Sequence, residues 1–168
     1  LLERIVQDSQ KFAANKGNKL AYFKEYFKSK ACKKNKNVTL IPDKIKNDTY
    51  GNKSFDCVLQ DSSSGHIHAI EYKTMGSSLG KNFNNRKEEM QGQAMHAKFL
   101  DVDNFSYIWI FDLTNEPEEA AMKNIGQIYN VAAKLKESEL LKNNIMLVHD
   151  SGKLTFYGED TFDNFKLW

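Results

Sequence analysis

The sequence is poor in the residues that staple small folds together and in those that cross membranes. It has two cysteines in 168 residues. Cys32 and Cys57 are 25 positions apart with no Cys-x-x-Cys spacing. Two reduced, partly buried thiols are therefore the expectation, with one disulfide as the alternative. The four histidines, His66, His68, His96 and His149, fit no metalloprotease or finger spacing. His66 and His68 share one face of an expected strand, but a metal pair there lacks a third ligand nearby. The two prolines punctuate: Pro42 stops a strand and Pro117 opens a helix. No apolar run reaches the ~18–20 residues of a bilayer-spanning helix, so no membrane partner is expected. No signal peptide, repeat or low-complexity segment is visible. The chain begins with Leu rather than Met, which fits a processed product or an excised domain.

What is present is an ordinary globular composition, 40% hydrophobic and 27% charged. A length of 168 residues favours one domain, here taken as 1–168, with a basic helical part over 1–36 and a core over 38–158. The net charge of +2 hides an asymmetry: residues 1–53 carry +8 and residues 54–168 carry −6. A basic half suits a polyanion, most commonly nucleic acid, and equally suits a solvated lysine-rich surface.

Hydrophobic spacing predicts a helix over 1–15 and, after a break at Lys16-Gly17-Asn18, a second over 19–34. Strands are expected at 38–42, 53–60 and 66–75, the last two joined as a hairpin through Asp61–Gly65, with a turn-rich loop over 43–52. A loop over 76–85 leads to a helix from about Arg86 to Leu100, capped by Asn84 or Asn85, with Glu88 and Glu89 in its first turns. The run 105–113 reads as a central strand buried on both faces. Asn115 then caps a helix reaching Lys136 or Leu141. Strands at 144–150 and 153–158 follow around Ser151-Gly152, and the aromatic tail is expected to dock on the body. This order predicts an α/β fold, a mixed central sheet flanked by helices.

The strand 66–75 raises a problem. Glu71 and Lys73 are two residues apart, so they point to the same face of an apolar strand. Buried charges cost several kcal/mol unless paired or metal-bound. Asp56 lies inside the preceding apolar strand, and the hairpin can bring it beside Glu71. Two carboxylates and a lysine converging on one point suit phosphodiester hydrolysis. Asp56 and Glu71 would hold a hard divalent cation, and Lys73 would act on the attacking water. A structural Glu71–Lys73 pair at a sheet edge is the bland alternative.

The pattern of Asp56 followed 15 positions later by Glu71-x-Lys73 resembles the PD-(D/E)xK nuclease superfamily. Residues 53–94 resemble XhoI-type type II restriction endonucleases. The resemblance is carried by "KSFDCVL", by Glu71 and Lys73, by Gly76, Ser78 and Gly80, and by "NFNNR" followed by Glu88 and Glu89. Leu79, Lys81 and the missing loop proline depart from that pattern, as does the N-terminal half. The resemblance implies a restriction-endonuclease-like core and a Mg²⁺-dependent endonuclease cutting double-stranded DNA. Mn²⁺ would substitute, and Zn²⁺ ranks behind both. The segment Ser77, Ser78, Lys81, Asn82, Asn84, Asn85 and Arg86 would contact the nucleic acid. Glu25, Glu89 and Gln93 are accessory candidates; Gln91 and Gln93 lie on different helix faces, so at most one reaches the site. Lys28, Lys30, Lys33, Lys34 and Lys36 would neutralise phosphates. A restriction enzyme would be a cytoplasmic homodimer. Two other readings stand beside it: a secreted antibacterial nuclease toxin domain blocked by an immunity protein, with RNA as a further substrate, and a non-catalytic nucleic-acid-binding module of the same fold.

Overall fold

A computed structural model describes residues 16–76, 79–114 and 117–168, with side chains from residue 21 onward except that of Leu79. The elements run α1 (Lys16–Lys34), β1 (Val38–Leu40), β2 (Lys44–Ile45), β3 (Lys53–Ser54), β4 (Cys57–Asp61), β5 (Ile67–Met75), α2 (Leu79–Phe99), β6 (Asn104–Asp112), α3 (Glu118–Glu137), β7 (Asn143–Asp150) and β8 (Lys153–Phe156). Among the described residues, no helix is long and apolar enough to cross a membrane.

Six strands form one mixed sheet in the order β1-β4-β5-β6-β7-β8. β5, β6 and β7 are parallel neighbours, and the outer pairings are antiparallel. Each parallel pairing is connected through one helix, α2 and then α3. Successive crossovers of one hand, stepping the same way across a sheet, put both helices on one face. The side chains agree. Met90, Ala94 and Ala97 of α2 and Ile125, Ile128 and Ala132 of α3 bury against Ala69, Tyr107, Trp109 and Met146. The opposite face, with Cys57, Ile70, Tyr72, Ile108 and Leu147, is covered by Phe23 and Phe27 of α1 and by Phe162, Phe165 and Leu167 of the tail. The tail docks as its composition predicts, and the described chain is an α/β sandwich with its sheet in the middle. With both faces covered, β6 is buried from Phe105 through Phe111.

Four boundaries differ from expectation. α1 already includes Lys16, Gly17 and Asn18, where a break was expected. The loop 43–52 contains β2, which pairs with β3 as a separate two-stranded ribbon. The single strand expected over 53–60 is broken at Phe55-Asp56 into β3 and β4. Most consequentially, α2 starts at Leu79, about two turns before Arg86, so Asn84 and Asn85 are helical residues rather than caps. The cap expected at Asn115 and the helix expected over 1–15 lie outside the described residues.

Candidate functional site

The hairpin register builds the site. Cys57 pairs with Ile70, so Asp56, just before β4, comes opposite Glu71. The break before β4 leaves Asp56 free of the ladder, and its Oδ2 accepts the Tyr72 N–H at 2.9 Å. Glu71 and Lys73 point to the α2 side of the sheet, as strand alternation requires. Glu71 is only 7% exposed. Burial first, and then the Asp56 carboxyl within hydrogen-bonding reach, push its carboxyl up to about 7. One ammonium opposes that rise: Lys53, on β3, donates from Nζ to Glu71 Oε1 at 2.8 Å.

Lys73 is engaged elsewhere. Its Nζ donates to Glu89 Oε1 at 3.2 Å, and Glu89 Oε2 accepts from Arg86 Nη1 at 2.5 Å. Gln93 Nε2 adds a 3.5 Å contact to the same carboxylate. Burial works to raise the Glu89 carboxyl, but Arg86 and Lys73 hold it below the usual carboxylate range. The early start of α2 explains this set. In helical register, Asn82, Arg86, Glu89 and Gln93 form one stripe, and Arg86, Glu89 and Gln93 converge on the Lys73 side of the sheet. Lys81, Asn84, Asn85 and Glu88 form an exposed stripe beside it. Sequence reasoning treated residues 76–86 as one gripping segment, a loop ending at a helix start. The helix splits it into two faces and keeps Arg86 as a partner of Glu89. Ser77 and Ser78 lie outside the described residues.

Of the accessory candidates, Glu89 and Gln93 reach the site, and Gln91 is exposed. Glu25 does not reach it: it is exposed on α1, which packs on the other face of the sheet. The lysines from Lys28 to Lys36 likewise follow α1 and are not gathered with the carboxylates. His66 and His68 make no metal pair. His66 is exposed outside β5, whereas His68 is buried against the tail. Its Nδ1 lies 2.6 Å from the Leu167 carbonyl, which can only accept, so that nitrogen carries the proton. Nε2 then accepts from Ser106 Oγ at 2.8 Å. Burial pushes His68 down to about 4. Both cysteines are free thiols, and burial pushes Cys57 up to about 12.

Two residues at the site went unnoticed in the sequence. Lys53 looked like the start of a strand; only the β3–β4 break turns it back over Glu71. Tyr107 pairs with Glu71 in the β5–β6 register. Burial, then the charges of Glu89, Glu71 and Asp56, push its hydroxyl far above the ordinary tyrosine value, so it stays protonated. An expected all-apolar central strand gave no cue that one member faces three carboxylates.

A hard divalent cation is commonly held by one or two protein carboxylates, with water completing its shell. Two adjacent carboxyl groups, one driven towards protonation by burial and then by the other, fit such an ion. Among the described residues, no group of three or more His, Cys, Asp or Glu side chains forms a larger metal-holding set. No protein-family model, curated protein or solved structure matches this chain.

Proposed function

We infer that the chain is a divalent-metal-dependent nuclease with a restriction-endonuclease-like core, acting on double-stranded DNA. The carrying observation is the Asp56–Glu71 carboxyl pair: burial first, and then Asp56, raise Glu71 to about 7, Lys53 donates to it, and Lys73 lies two residues along the same strand face, bonded to Glu89. Asp56 and Glu71 would hold Mg²⁺ or Mn²⁺, which when bound neutralises phosphate charge and acidifies a water. The chain's own groups do the rest. Glu71 would release its proton to solvent as the cation binds, and Lys53 would exchange its hydrogen bond to Glu71 Oε1 for one to water. Lys73, whose ammonium gives one hydrogen bond to Glu89, would turn its remaining N–H donors to the phosphoryl oxygens and stabilise their developing charge. The Tyr107 hydroxyl remains a donor beside Glu71.

Digestion of a plasmid, linear-DNA and RNA panel with Mg²⁺, Mn²⁺ and Zn²⁺ tests this reading. The expected result is DNA cleavage with Mg²⁺ or Mn²⁺ that falls at least a hundredfold in Asp56→Asn, on the general scale of removing electrostatic stabilisation at a reacting centre. Discrete fragments speak for a restriction enzyme, a smear for a toxin-type nuclease, and RNA products for an RNase. Intact substrates under all three metals overturn it.

The ion pairs favour a second reading. Lys53–Glu71 and Lys73–Glu89–Arg86 close on themselves, as a purely structural network would. A non-catalytic nucleic-acid-binding module would keep that network without cleavage. Calorimetry then separates the two: metal uptake lost in Asp56→Asn belongs to the nuclease, and no uptake belongs to the module.

A further inference from the structure

Away from the carboxylates, the described residues expose three large apolar side chains: Tyr50 at 56%, Met95 at 43% and Phe99 at 48%. They converge. Met95 and Phe99 are four positions apart on α2 and therefore share a helix face. Tyr50, at the tip of the β2–β3 ribbon, lies over Phe99 with ring centroids 5.3 Å and planes 26° apart. The turn presenting Tyr50 is ordered by its own hydrogen bonds. Asn47 Oδ1 accepts the N–H groups of Thr49 and Tyr50 at 2.9 and 2.8 Å, and Asn52 Oδ1 accepts that of Asn47 at 3.1 Å. Gly51 then takes a φ of +82°, which returns the chain to β3. The ribbon is thus a preformed arm. Its base reaches Glu71 through Lys53, and its tip carries a half-exposed ring.

A second feature begins one residue from Phe99. Lys98 lines a cleft of about 410 Å³ with Lys136, Lys142 and Lys166. Asp160 engages Lys136 at 2.7 Å, whereas Lys98, Lys142 and Lys166 make no ion pair among the described residues. Of the acidic groups lining the cleft, Asp103 already accepts the Ile67 N–H at 2.7 Å, and Glu139 is the other. Three ammonium groups without ion-pair partners, beside a flat aromatic surface, match the chemistry of a nucleic-acid strand: phosphates for the lysines and a base face for the ring. A duplex hides its base faces in the stack, so a ring platform selects an unstacked base. A second copy of the chain is the poorer occupant, because a two-fold contact at this patch would bring lysine cleft against lysine cleft.

We propose that Tyr50, Met95 and Phe99 form a stacking platform for an unpaired base of a single-stranded or frayed nucleic acid, whose phosphates follow the lysine cleft. The proposal rests on reading the chain as one that acts on the phosphodiesters of double-stranded DNA, and it adds a subsite for a base that leaves the duplex at an end, a nick or a melted stretch. It gives the Lys98 cleft the role of a phosphate track and the β2–β3 ribbon that of a link between platform and carboxylates.

The test is fluorescence anisotropy of labelled oligothymidylate and of a blunt duplex with the full chain in EDTA, so that binding is read without cleavage. Both are expected to bind through the phosphate track, and the single strand to gain the base–ring stack as well. The double variant Tyr50→Ala/Phe99→Ala should weaken single-strand binding about tenfold, as loss of one base–aromatic stack does, and leave duplex binding unchanged. Tyr50→Phe should keep wild-type affinity. Lys98→Ala/Lys166→Ala should weaken both substrates and flatten the salt dependence. Circular dichroism of each variant checks that it folds. Equal single-strand affinity in the double alanine variant overturns the proposal. So does a variant that only abolishes self-association in sedimentation, which would give the patch to a second copy. Platform-dependent binding by a chain that cuts nothing with Mg²⁺ sustains the platform and removes the nuclease reading. Cleavage with no effect of the alanine pair on binding does the reverse.

Discussion

Glu71 is an acid whose folded environment keeps its proton, and this gives it a sign in the stability of the chain. Its carboxyl is raised from 4.5 to about 7 by burial and by Asp56. Below 4.5 the folded and unfolded chains are both protonated here. Between 4.5 and about 7 the unfolded chain ionises first, so Glu71's contribution to stability falls as pH rises through that window and levels off above it. The shift corresponds to on the order of 3 kcal/mol. In Glu71→Gln that slope should disappear. Urea unfolding of wild type and variant from about pH 4 to about pH 8 reads it as a stability difference that grows in the variant's favour by up to about 3 kcal/mol. Lys53 should act in the opposite direction. Lys53→Met leaves the buried carboxylate without its 2.8 Å partner. It should cost on the order of 1–2 kcal/mol near pH 8 and less near pH 4, by the same melts, because one member of a partly buried pair then stands uncompensated. If the loss is the same at both pH values, the pair does not govern Glu71.

At the scale of the elements, α2 carries most of the site and most of the surprise. Gly92 sits at its exposed middle, with ordinary helical backbone and nothing within 4 Å of where a Cβ would be. Gly92→Ala should therefore raise stability by about 0.5–1 kcal/mol in thermal or urea unfolding, the usual gain on removing glycine from a helix interior. The start of this helix was not legible in the sequence. Gly76, Gly80 and three asparagines look like loop, and no acidic residue marks the first turn. Phe83, buried between the outward Lys81 and Asn84, supplies the missing reason: packing against the sheet outweighs weak local propensity. By contrast β5, β6 and β7 were readable to within a residue, and the end of α3 to within a residue at the nearer of its two expected positions, because each has a long apolar pattern. Asp56, Glu71 and Lys73 were readable as charges in apolar strands. Lys53 and Tyr107 were not, since their roles arise from a chain break and from a pairing between strands distant in sequence.

For the whole molecule, the two sheet faces titrate against each other. On the face opposite Glu71, His68 stays neutral down to about 4, while an unfolded histidine takes up its proton near 6.5. Its network continues into the tail: Ser106 Oγ accepts from Asn143 Nδ2 at 2.8 Å, and Asn143 exchanges hydrogen bonds with the Lys166 backbone. A depressed folded value means that stability falls as pH drops from about 6.5 to about 4, the opposite slope to that of Glu71 over nearly the same window. The wild-type profile should therefore be nearly flat between about pH 4.5 and 6.5, and Glu71→Gln should uncover a steep acid loss of on the order of 3 kcal/mol. Stability against pH by urea melts, with the His68 ring followed by NMR, checks both limbs.

The outline of the sheet has a consequence for how copies of the chain meet. β5, β6 and β7 are nine, nine and eight residues long, but the borders, β1 and β8, have three and four. A short border with alternately exposed side chains offers few free backbone groups, so it is a poor template for strand-to-strand growth. β8 covers the outer edge of β7 from Leu147 to Asp150, and Tyr157 and Asp160 just after it bond to Met146 and Asn144; β7 is buried from Asn143 through His149. A chain that lost β8 together with the tail would bare that long apolar margin. What this short border and the segment after it hold back is thus amyloid-like accretion.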